Sequence, residues 1–130
     1  MPNDVEYAVA PRQFGNQTAQ ELDTLTDSVK EFLRGDQYET VTNREQVKRA
    51  NDDINARGID AVVNDLLARD RWTADDHAAA AVACIRAQNE GLMTTAYVIA
   101  KAYDEQGTNA GQALQARQII KKLTAEGGLA

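Results

Sequence analysis

Gly58 and Gly91 constrain this chain more than any other pair of residues, because each closes one apolar stripe and is followed at once by another. Before Gly58, Val47, Ala50 and Ile54 recur at three- and four-residue steps, the spacing that lines one face of a helix. Directly after it come Ile59, Val62, Val63, Leu66 and Leu67, on a second helix ending near Arg69. Two helices with so short a link form a helical hairpin. Around Gly91 the arrangement repeats: Ala78, Ala81, Val82 and Ile85 precede it, and Leu92, Ala96, Ile99 and Tyr103 follow, with Gly107 as the next stop. The two glycines lie 33 residues apart, a spacing found in helix-pair repeats, although such arrays normally need about three copies for stability.

Local start and stop signals agree with this reading. The run TNRE, Thr42 to Glu45, predicts a capping box in which the threonine hydroxyl accepts from a free amide and Glu45 reaches back to the Thr42 amide. Thr73 and Asp76 have the same spacing before the alanine-rich run. An earlier stripe of Leu22, Leu25, Val29, Phe32 and Leu33 predicts a helix within Ala19 to Arg34, with Thr26 also placed to cap a shorter one and Gly35 as its stop. The segment Asp36 to Val41 bridges onward, with Tyr38 packed. The last helix is expected over Asn109 to Leu123, facing Ala113, Ala116, Ile120 and Leu123 inward and carrying Lys121 and Lys122 in its last turn. Residues 1–18 mix Pro2, Pro11 and Gly15 with polar residues and read as an extended or disordered arm that Tyr7, Val9 and Phe14 could dock. No segment alternates with period two for long enough to be a strand. The expectation is an all-α chain of about six helices in successive antiparallel hairpins, a repeat-like bundle over 19–130 behind a flexible N-terminal arm.

Composition narrows the function classes. The chain has 130 residues and a formal net charge of −6. That acidity keeps a domain soluble and argues against unspecific binding to nucleic acid. Alanine supplies much of the apolar content, so the core comes from close helix contacts rather than bulky anchors. Cys84 is the sole cysteine, so no internal disulfide forms. No charged segment followed by an apolar run opens the chain, and no apolar stretch approaches the roughly 20 residues that span a bilayer. A reducing cytoplasm is the expected compartment.

The candidate chemistry is sparse. Asp75, Asp76 and His77 sit in a predicted first helical turn, where acids are favoured by the dipole and the unsatisfied amides, so capping is their expected role. His77 and Cys84 share a helix face but stand two turns apart, roughly 10 Å, beyond nucleophile–base reach. Cys84 among alanines reads as a small core residue. The run GTNAG, Gly107 to Gly111, lacks the lysine and hydroxyl residue of a phosphate loop, and reads as a helix stop followed by a cap at Thr108. Arg44, Lys48 and Arg49, and separately Arg117, Lys121 and Lys122, form basic patches without interleaved aromatics, as solvated helix faces do. Trp72 is expected to pack over the start of the helix after Thr73.

Three runs also resemble a known segment. RQFGNQTAQ (Arg12 to Gln20), TNREQVKRAN (Thr42 to Asn51) and GTNAGQALQARQIIKKLTAEG (Gly107 to Gly127) are similar to a recurring part of very large polyvalent proteins of phages and conjugative elements of gut Firmicutes. GQALQA, Gly111 to Ala116, is the most specific run, and the likeness extends over most of the chain from about Arg12. It implies an α-helical spacer or docking region beside enzymatic modules, without catalytic residues of its own. Where that segment continues through an LTPEG-type turn, this chain reads Leu123-Thr124-Ala125-Glu126-Gly127, which leaves open a piece of a giant protein or a free-standing one. A free-standing phage protein of this size looks like an accessory or anti-defence factor, such as an inhibitor of a host CRISPR nuclease.

The functional expectation is therefore a protein-binding domain acting in the host bacterial cytoplasm, with no catalytic residues, no metal, no cofactor, and neither nucleic acid nor membrane as partner. The expected binding face is the polar flank of the first helices of the two hairpins, where Asn51, Asn55, His77 and Gln88 lie beside the apolar stripes.

Overall fold

The computed structural model describes residues 19–106 and 114–125. They form six helices: α1 (Ala19–Phe32), α2 (Arg44–Arg57), α3 (Ile59–Leu67), α4 (Ala74–Asn89), α5 (Met93–Gln106) and α6 (Leu114–Ala125). Among the described residues there is no strand, and no helix is long and apolar enough to cross a membrane. The expected arm over 1–18, the Gly107 stop, the Thr108 cap and the positions of Gly111 and Ala113 lie outside the described residues.

The molecule is organised around α4. Ala78, Ala80, Ala81, Val82, Ala83, Cys84 and Ala87 are all buried, so the helix is apolar around most of its circumference. It packs against α1, α2, α3 and α5, while α6 packs on α5. Alanine side chains let surrounding backbones approach closely, and the bulk that fills the space comes from the neighbours: Val29, Leu33, Val47, Ile99 and Tyr103 are all at or near zero exposure. Each such aliphatic side chain contributes about 1.5–3 kcal/mol on burial.

The two glycine junctions are as the spacing predicts. Gly58 and Gly91 take φ of 94° and 76°, left-handed values at which a Cβ is strained. The box of Thr73 and Asp76 also forms: Asp76 N donates to Thr73 Oγ1 at 3.2 Å, and Thr73 N donates to Asp76 Oδ2 at 3.0 Å. Trp72 is buried before that cap, its indole donating to the Leu66 carbonyl at 3.0 Å.

Two local expectations are corrected. The cap of α2 is Asn43, not Thr42, and its reciprocal partner is Gln46 rather than Glu45. Thr42 is instead buried, its hydroxyl donating to the Tyr38 carbonyl at 2.8 Å; once that bond forms, the next residue is the first free cap. Thr26 does not start a helix: it lies inside α1 with its hydroxyl donating back to the Leu22 carbonyl at 2.8 Å. Leu67 is 45% exposed, because it ends α3 at an edge where α5 presents Thr94, Thr95 and Val98.

Candidate functional site

Polar side chains gather at the two ends of α4. At its N-terminal end, Asp76 completes the cap and also accepts from Arg69 Nη1. Asp75 faces outward, accepting from Gln46 Nε2 of α2 at 2.6 Å, with Arg49 Nη2 3.7 Å away. The capping role therefore belongs to Asp76, whereas Asp75 links α4 to α2.

His77, one residue further, turns inward. Its side chain is 4% exposed and lies in a ring cluster, 4.7 Å from Tyr38, 5.2 Å from Tyr103 and 5.5 Å from Trp72 between centroids. Phe32 meets Tyr103 edge to face at 5.0 Å. The charged member is Asp36, whose side chain is wholly buried. It accepts from the Tyr103 hydroxyl of α5 and, at 2.7 Å, from the Tyr38 amide in its own loop. His77 Nδ1 stands 3.5 Å from Asp36 Oδ2, the long limit of hydrogen bonding, so the imidazole has an acid neighbour without a formed bond.

The electrostatics follow from that geometry. Burial by itself would push the Asp36 pKa up, but His77, the Tyr103 hydroxyl and the Tyr38 amide favour the anion and together bring it below the ordinary aspartate value. Burial raises the Tyr103 phenol, and its bond to the Asp36 carboxylate raises it further. The tyrosine stays a donor and Asp36 an acceptor.

Toward solvent, His77 and Trp72 form part of the wall of a cleft of about 530 Å³. Tyr38, Asp70, Arg71 and Glu105 line it too. Gln106 braces the wall, its Oε1 accepting from the Trp72 amide at 3.0 Å and its Nε2 donating to the Asp70 carbonyl at 3.2 Å.

At the C-terminal end of α4 the buried charge is positive. Arg86, with 8% of its side chain exposed, donates through Nη1 to Asn51 Oδ1 at 3.0 Å and Asn55 Oδ1 at 2.7 Å on α2. Its Nε and Nη2 reach Glu90 Oε2 at 3.1 and 2.9 Å.

The four expected binding residues thus divide between two places. Asn51 and Asn55 meet on Arg86, in the α2–α4 contact rather than on an open flank. Gln88 is half-buried nearby and donates to the Cys84 carbonyl at 3.3 Å. His77 is nine residues before Arg86 on α4, about 13 Å along the axis, in the ring cluster. Sequence reasoning missed Asp36, Tyr103 and Arg86. Tyr103 was legible only as an inward position of its stripe, and Arg86 only as the single Lys or Arg in the helix around HAAAAVACIRA.

Cys84 is buried as expected, its thiol pushed up to about 12 by burial against the opposing contact from Gln88. Both basic patches have acidic neighbours: Arg44 pairs with Asp23, Lys48 with Asp52, and Arg117 with Asp104. Among the described residues no group of three or more His, Cys, Asp or Glu is placed to hold a metal ion. Along the α3–α5 edge runs a groove of about 320 Å³ lined by Asp60, Val63, Asn64, Leu67, Thr94, Thr95 and Val98. Leu92 and Met93, at the start of α5, are each 38% exposed. No protein-family model, curated protein or solved structure compared with this chain matches it.

Proposed function

We propose that this chain is a helical protein-docking domain of the phage and mobile-element kind that its sequence resembles, acting inside the host bacterial cell and contributing no catalysis of its own. The observation that carries the reading is the α3–α5 edge, where Leu67 stays 45% exposed beside the groove. Large apolar side chains next to a groove with a polar rim are the composition of an interaction surface. The buried polar groups support the same reading differently: Asp36 and Arg86 are engaged within the fold and hold helices together.

The test is capture from host lysate with the wild-type chain and with a Leu67→Asp, Met93→Asp variant. Both positions are exposed, so the circular dichroism spectrum should be unchanged. The reading expects a partner retained by the wild type and lost by the variant; equal capture by both would reject this edge.

A second reading, inhibition of a host CRISPR nuclease or related immune effector, is favoured by the net charge of −6. It alone expects a targeted phage to be rescued when the chain is expressed in the defending host.

A further inference from the structure

We draw no further inference here: the strongest candidate, the groove between α3 and α5 beside the exposed Leu67, belongs to the docking edge already described, and nothing in the structure shows what covers it.

Discussion

At one end of α4 a carboxylate, Asp36, is buried against neutral donors; at the other a guanidinium, Arg86, is buried against the neutral acceptors of Asn51 and Asn55 and the acid Glu90. The difference lies in access to water. Asp36 has no exposed side-chain surface, and its donors come from α5 and from its own loop. Arg86 shares its charge with Glu90, whose side chain is 34% exposed, so that pair stays partly hydrated. A buried charge without an outlet depends wholly on the groups around it, whereas one with an outlet can relax toward solvent. The Asp36 cluster should therefore be the more costly of the two to break.

Asp36→Ala gives the largest expected effect. It leaves the Tyr103 hydroxyl and the Tyr38 amide without their acceptor, at a cost of about 3 kcal/mol for two orphaned buried donors. Arg86→Met, which keeps an unbranched stem of similar reach, should cost about 2 kcal/mol, because Asn51 and Asn55 lose a shared donor but lie near a hydrated rim. Urea unfolding of the two variants checks the order, and a larger loss at Arg86 would reverse the comparison.

Acid sharpens it. The folded Asp36 pKa lies below the free value of 3.8, so the ionised carboxylate stabilises the fold fully above that pH. The contribution is withdrawn as pH falls through the lower folded value. Between pH 5 and pH 2.5 the wild type should lose more stability than Asp36→Asn, which has no proton to take up at this position. Parallel curves for the two proteins would show that the carboxylate is not held as the geometry indicates. The smallest effect is expected outside both clusters: Arg57 bridges Asp53 and Asp65 but is 43% exposed, so Arg57→Gln should cost least of these variants, and 1 M salt should remove most of its effect.

Much of the helix layout is visible in the residues, for local reasons. Gly58 and Gly91 mark left-handed stops, Thr73 with Asp76 makes a reciprocal cap, and the stripes at three- and four-residue steps place Val47, Ile54, Ile99 and Tyr103 in the core. The error at Thr42 arises where two adjacent residues can both cap and a local bond, back to the Tyr38 carbonyl, takes the first. Leu67 continues its stripe onto a face left open among the described residues, which no periodicity reveals. The clusters themselves are invisible locally: Asp36 and Tyr103 are 67 residues apart, and Arg86 is 35 from Asn51. His77 reads as a polar flank residue because imidazole is polar, and only the rings of Tyr38, Trp72 and Tyr103 make its burial favourable.

Everything in the comparison presumes that α4 is the last helix to open. Native-state hydrogen exchange measures this residue by residue. The amides from Ala80 to Ala87 should exchange only through global unfolding, with the same free energy that urea unfolding gives, while α6, packed mainly on α5, opens at lower cost. Exchange of the α4 amides by local opening, at free energies no higher than those of α6, would contradict the account.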